Sequence, residues 1–251
     1  MSDLFILTGA SRGMGRAMAA QLLQRDGVQL LCLSRGRDSA LQSGPAGAGS
    51  RAEQWQVDLA DPLPAAERVR DWLAGQDGAG FRSATLINNA GTVGHPAPLA
   101  KASLAELSQS LRVGLEAALL LTAAFLGATA GWPGRRQVLN ISSGLGRNAL
   151  GSQAPYCAAK AGMDHFSRAV ALEEQGGAGA RIVSLAPGVI DTDMQVQLRG
   201  TDAALFPDRN RFEKLKADGL LDSPEAAARK VLAWLERPDF GAQPVGDVRQ
   251  P

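Results

Sequence analysis

Close to the start of the chain a short apolar run, residues 4–8, ends in Gly9-Ala10-Ser11-Arg12-Gly13-Met14-Gly15, and a stretch with helical periodicity, 16–26, follows at once. Glycines at these spacings let a backbone leave a strand, turn sharply and enter a helix while lying close to another group. The unpaired N–H groups and the dipole at such a helix start favour an anion, and the loop is of the size that cradles a pyrophosphate. A nucleotide site is therefore expected at the first strand-to-helix turn.

The rest of the chain repeats this alternation. Short apolar runs at 28–34, 53–57, 85–88, 137–142, 181–186 and 243–245 read as strands, and apolar residues recur at three- and four-residue spacing over 62–73, 103–130, 155–174 and 224–236, which read as helices. Parallel strands need a crossover, and helices supply it, so the pattern predicts a doubly wound α/β fold: a parallel sheet with helices on both faces. Residues 37–50, rich in Gly, Ala, Ser and Pro, read as loop with a single turn at most. No repeat and no long linker divides residues 1–251, which are expected to form one domain.

Composition removes several functions. The formal net charge is +1, which provides no broad positive field for nucleic acid. The two cysteines, Cys32 and Cys157, and the two histidines, His95 and His165, are too scattered for a disulfide framework or a metal cluster. The N-terminus lacks the basic start and long apolar core of an export signal. The greasiest stretch, 115–128, is about half the length that spans a bilayer and contains Glu116. A cytoplasmic protein without membrane or nucleic-acid partners is expected.

At the end of the second strand, where a fold preferring NAD carries an acid for the ribose hydroxyls, this chain has Ser34 and then Arg35. Arginine hydrogen-bonds a 2′-phosphate, and Arg12 in the glycine loop is placed to reach the same group, so NADP is the expected cofactor. Asp58 either receives the adenine amino group or caps the helix beginning near Pro62. The single tyrosine, Tyr156, precedes Lys160 by four residues in a predicted helix, so the ammonium and the phenol share a face. A phenol is a sluggish acid near its ordinary pKa of about 10, and lowering it by about 3 units takes ~4 kcal/mol, which a buried lysine beside an oxidised nicotinamide can supply. Ser143, at the end of the fifth strand, can hold a carbonyl oxygen while the tyrosine donates its proton.

Thr8-Gly9-x-x-x-Gly13-x-Gly15, Asn88-Asn89-Ala90-Gly91, Ser143, Tyr156-x-x-x-Lys160 and Pro187-Gly188, in this order, resemble the short-chain dehydrogenase/reductase family across essentially the whole chain. The resemblance implies a seven-stranded Rossmann sheet and hydride transfer from a nicotinamide. It implies Tyr156 as catalytic acid, Ser143 as carbonyl-orienting donor and Lys160 as the residue that binds the ribose hydroxyls. It further implies that Ser11, Met14, Leu59, Asn88, Ala90, Gly91, Pro187, Gly188 and Val189 line the cofactor and that Thr192 holds its carboxamide. A narrower likeness is to sepiapterin reductases and bacterial relatives that reduce vicinal diketones such as benzil. It rests on residues 86–91, 140–143, 156–160, 191–195 and the tail 215–248, and makes Asp247 the candidate grip for a pterin's amino-pyrimidine edge.

Two departures stand out. Gly114 occupies the place of an asparagine that holds a relay water in many members, and residues 144–155 contain none of the aromatics that pterin-reducing relatives place there. The substrate class expected is an α-dicarbonyl or α-hydroxyketone, either a sepiapterin-type pterin or a vicinal diketone. Two rivals use the same residues: an NADP-binding sensor with weakened catalysis, which Gly114 favours, and an α/β hydrolase with Ser11 as nucleophile, which the few residues upstream of Ser11 oppose. Segment 194–222 suits a lid over the substrate. Helix 103–130, apolar on many sides, together with 155–174 suggests a homodimer or homotetramer.

Overall fold

The computed structural model describes residues 1–44 and 46–250 of the chain. Seven strands form one sheet, β1 (Ser2–Thr8), β2 (Val28–Ser34), β3 (Arg51–Gln56), β4 (Phe81–Asn88), β5 (Arg135–Ile141), β6 (Arg181–Ala186) and β7 (Val245–Asp247). All neighbours are parallel, in the order β3-β2-β1-β4-β5-β6-β7. The order reverses between β1 and β4, and at such a switch point the loops leaving the strands part to leave a crevice.

Alternate residues of β1 serve opposite layers. Phe5 and Leu7 pack with Met18 and Leu22 of α1 (Gly13–Leu23) and with Val231 and Leu235 of α9 (Pro224–Leu235). Leu4 and Ile6 pack with Val69 and Leu73 of α3 (Pro62–Ala74) and with Leu121 and Phe125 of α5 (Ala117–Thr129). Burial on both faces explains why the central strands read as continuous apolar runs rather than alternating ones.

The expected loop at 37–50 holds only the four-residue helix α2 (Ala40–Ser43). Several boundaries differ from expectation, and three of them have a clear cause. Helix α1 begins at Gly13, so the glycine loop itself winds the first turn. Strand β4 begins at Phe81 rather than 85, because its first half pairs with the N-terminal end of β1. Strand β7 starts at Val245, after Pro244, which has no N–H to offer a ladder and contributes only its carbonyl to Ser184.

Helix 103–130 is divided. After α4 (Leu104–Leu111) the chain winds one π-helical turn, Arg112–Glu116, before α5. By length and composition the stretch Leu104–Thr129 is long and apolar enough to cross a membrane, with a mean hydropathy of 1.6. Here its inner side, with Leu121 and Phe125 fully buried, lies on the sheet beside α3. Segment 194–222 contains α7 (Asp193–Gly200) and α8 (Arg209–Ala217), and its Phe206 is fully buried with Val93 and Leu198, against Tyr156, Leu150 and Met194.

A buried hydrogen-bond ladder crosses the middle of the sheet. Asn88 Nδ2 donates to Asn140 Oδ1 at 2.8 Å and to Thr122 Oγ1 of α5 at 3.1 Å. Asn140 Nδ2 donates to Ser167 Oγ of α6 (Ala154–Glu173) at 2.9 Å, and Ser167 donates to the Met163 carbonyl at 2.8 Å. Removing the central member leaves buried groups short of partners, at about 1–3 kcal/mol. Asn140→Ala is therefore expected to unfold at lower urea with an unchanged slope of the transition, measured by circular dichroism.

Candidate active site

The carboxyl ends of β1, β4, β5 and β6 lie side by side, and they bring residues 9–15, 88–91, 143 and 187–192 to one edge of the sheet. At Gly9 and Gly15 of the glycine loop the surrounding atoms leave no room for a side chain. A Cβ on Gly15 would stand 2.1 Å from the Gly9 carbonyl oxygen, and Gly9 itself has φ 70°. The Thr8 hydroxyl accepts the N–H groups of Asn89 and Ala90, both at 2.9 Å, while Asn89 Nδ2 donates to the Thr8 carbonyl at 3.0 Å and the Gly9 carbonyl at 3.3 Å. The loop is thus tied to the neighbouring strand end. Arg12 sits at the N-cap of α1 without a side-chain cap, and no acid stands in the first turn, so the helix start keeps its N–H groups for an anion. This uncapped, glycine-lined cradle fits a dinucleotide's pyrophosphate.

Around the cradle the sequence-predicted residues divide. Met14 is buried in the core, and Asn88 spends its amide Nδ2 on the sheet ladder while its Oδ1 has no partner among the described residues. Arg35 is exposed next to Ser34, whose hydroxyl donates to the Gly36 carbonyl at 2.7 Å. Arg12 turns towards α7 and pairs with Asp193 at 3.1 Å. Asp58 does not cap α3: its carboxylate accepts from the Ala60 N–H at 3.0 Å in a local turn, and Asp61 holds the N-cap position. Leu59 is buried, and Gly91 faces Lys160, with its Cβ position 3.7 Å from Nζ. Past Ala186, Pro187 precedes Gly188 (φ 86°), the Val189 carbonyl accepts from Asp222, and Thr192 packs its methyl 3.5 Å from the Cβ position of Gly13.

Ser143 opens the 3₁₀ turn Gly144–Gly146 beyond β5. Across from it α6 presents Tyr156 and, one turn on, the buried Lys160, whose Nζ lies 5.7 Å from the phenol ring centre. The pair does not behave as the spacing alone suggests. Lys160 donates to the Ile141 carbonyl at 2.6 Å, and burial pushes its pKa down to about 8, against the opposing pull of Asp164. Burial also pushes Tyr156 up from its ordinary value, the Ser143 hydroxyl partly opposing it. Sequence reasoning expects a phenol lowered by a buried lysine together with an oxidised nicotinamide; the protein's own groups push in the opposite direction. In this fold the ammonium is committed to the end of β5, so desolvation dominates the tyrosine.

Asp247 is not a free carboxylate. Arg249 Nε and Nη2 grip its two oxygens at 2.8 and 2.6 Å, and the Arg249 N–H donates to it at 3.0 Å, holding its pKa below the carboxylate range despite burial. The same guanidinium lies 3.9 Å from the Cβ position of Gly144, next to Ser143. Gly114 is buried in the π-turn, where a Cβ would stand 3.1 Å from the Ala159 methyl, so a side chain here would press on the helix turn that carries Lys160. Ser11 meets neither histidine: His95 pairs with Glu106 at 2.9 Å, and His165 is exposed on α6. Among the described residues no triad supports a Ser11 nucleophile.

Thr8, Asn89, Arg147, Asp164 and Arg249 were missed as site residues by sequence reasoning. Thr8 and Asn89 stand inside the motifs that carry the resemblance, and Asp164 lies one further turn along the helix face of Tyr156 and Lys160; Arg147 and Arg249 carried no such signal.

Comparison with known proteins agrees with this arrangement. The sequence profile of the short chain dehydrogenase family matches residues 4–203. A benzil reductase ((S)-benzoin forming) of Bacillus cereus is 35% identical over 244 residues, covering 97% of this chain and 96% of its own. The sepiapterin reductase of Meriones unguiculatus is 35% identical over 250 residues, covering 94% and 92%. The crystal structure of a short-chain dehydrogenase/reductase from Burkholderia vietnamiensis superposes with a TM-score of 0.63 at 34% identity, covering 99% of this chain and 97% of that one.

Because the chain has a single tyrosine, ultraviolet titration of the cofactor-free protein reads Tyr156 alone. Its midpoint is expected above 10, and Ser143→Ala should raise it further, since the opposing hydroxyl is then gone. A midpoint below 10 would contradict the dominance of desolvation.

Proposed function

Because this chain belongs to the short chain dehydrogenase family of oxidoreductases, which bind a nicotinamide cofactor, we propose that it is an NADPH-dependent carbonyl reductase acting on α-dicarbonyl or α-hydroxyketone compounds. Vicinal diketones come ahead of sepiapterin-type pterins within that class. The observation that carries the ranking is the Asp247–Arg249 pair. A pterin would have to displace Arg249 before Asp247 could grip its amino-pyrimidine edge, whereas a diketone leaves the carboxylate satisfied. The absence of aromatics over 144–155 points the same way.

In this reading a reduced nicotinamide, when bound, supplies the hydride. Ser143 donates to the substrate carbonyl oxygen and fixes its position beside Tyr156, which donates the proton. Lys160, with Gly91 beside it, would hold the ribose hydroxyls and stabilise the phenolate left behind. Arg35 and Arg12 would bind the 2′-phosphate. The Arg12–Asp193 pair is exposed on both sides and costs little to break, so a phosphate can recruit Arg12 from it. Segment 194–222, which closes on Tyr156 through Phe206 and Met194, would exclude water.

The test is NADPH consumption with benzil and with sepiapterin. Wild type should turn over benzil, Tyr156→Phe should lose turnover while still binding NADPH, and Arg35→Asp should weaken NADPH by about 10- to 100-fold, as loss of one charge-assisted hydrogen bond implies. Activity on neither compound, or equal affinity for NADPH and NADH in wild type, would overturn the respective part.

A homo-oligomer belongs to the same proposal. Leu104, Leu111 and Leu119 on the α4–α5 stretch and Leu172 on α6 are exposed, Leu104 by 83%. Light scattering at micromolar concentration should give a dimer or tetramer mass, and a monomer mass would reject it.

A further inference from the structure

Asp164 follows Lys160 by one helical turn and Tyr156 by two, so three ionisable side chains share one face of α6. Its carboxylate is buried. Oδ1 accepts from the Ser184 hydroxyl at 2.7 Å, and Oδ2 faces Arg147 Nε at 3.3 Å. Arg147 is the residue that closes the turn opened by Ser143, and its Nη2 donates to the Gly246 carbonyl of β7 at 3.3 Å. Between them Gly146 lies hard against the helix: a Cβ there would stand 2.9 Å from the Lys160 carbonyl oxygen and 3.0 Å from Asp164 Oδ2. The turn carrying Ser143 is thus fastened to the helix carrying Tyr156 and Lys160 at a single buried carboxylate.

Building on the reading of Ser143, Tyr156 and Lys160 as the reacting trio, we propose that Asp164 is a positioning residue, which through Arg147 holds the Ser143 turn against α6 and by its own charge stabilises the Lys160 ammonium. Lys160 is faced by Tyr156, Asp164 and the Met163 sulfur from α6, by the Ile141 carbonyl from the end of β5, and by Gly91 from the loop after β4; Arg147 stands across Asp164. Asp164 is the charged side chain that acts on it against burial, which already brings its pKa to about 8. Neutralising Asp164 removes the opposing pull and leaves the Arg147 cation nearby, so the sign is fixed: the Lys160 titration must move down.

The chain has five lysines, so nuclear magnetic resonance of side-chain-labelled lysine can follow Lys160, assigned by its loss in Lys160→Arg. In Asp164→Asn, which keeps the shape and the Ser184 contact, the Lys160 midpoint should fall by about one pH unit or more while the other four stay. Arg147→Gln leaves the Asp164 charge in place, so it should not lower the Lys160 midpoint, but it should speed amide hydrogen exchange over 143–147. In both variants kcat for benzil with NADPH should fall about tenfold or more, and in Asp164→Asn the alkaline limb of the pH profile should shift down with Lys160. An unmoved Lys160 in folded Asp164→Asn overturns the charge role. If that variant does not fold, unchanged exchange in Arg147→Gln overturns the positioning. The resonance and exchange readouts need no turnover: wild type inactive on benzil counts against the reductase reading alone, and an unmoved Lys160 in an active enzyme against this proposal alone.

Discussion

Asn88 and Asn140 stand side by side at the carboxyl ends of the two central strands, and the 2.8 Å bond between their amides lies where neither reaches water. Thr122 of α5 closes the ladder on one side and Ser167 of α6 on the other. In a low-dielectric interior such bonds are strong when complete and costly when broken, so the ladder admits one register of β4, β5 and the two helices. That register sets Asn89–Gly91 level with Ser143 and fixes α6 at Ser167, two turns beyond Lys160. The geometry of the candidate site is thus inherited from a buried structural network.

Close backbone approach is the second device, used three times. Gly15 lets α1 cross the end of β1, Gly114 lets the π-turn lie on Ala159, and Gly146 lets the Ser143 turn lie on α6. In each case a methyl group would meet backbone or a helix-borne methyl that cannot swing aside. The departure from asparagine at 114 goes with this packing: a side chain at that position would need Ala159 to give way by a few tenths of an ångström.

Charge along the carboxyl edge is paired locally. Arg147 joins Asp164, Arg249 joins Asp247, and Lys160 is held at the Ile141 carbonyl. Each acid near Ser143 thus has a base of its own, and Lys160 is the one cation of this group held by a backbone carbonyl rather than by a carboxylate.

The parallel α/β fold and the glycine cradle were readable because they depend on local rules: apolar runs buried on both faces, helical spacing between them, and glycines at a strand-to-helix turn. The alignment of Tyr156 and Lys160 was readable for the same reason, since four residues make one turn. What the spacing could not state was where each charge ends up. Lys160 turns to the end of β5, Arg12 to Asp193, Asp247 to Arg249, and Asp164 to a turn from another strand. Most of these partners are distant in sequence, and even Arg249, two residues from Asp247, is selected only once β7 has paired with β6. A side chain's charge state and its free valences follow from burial and from which elements meet, so they belong to the tertiary structure, while the chain of residues by itself determines which elements exist to meet.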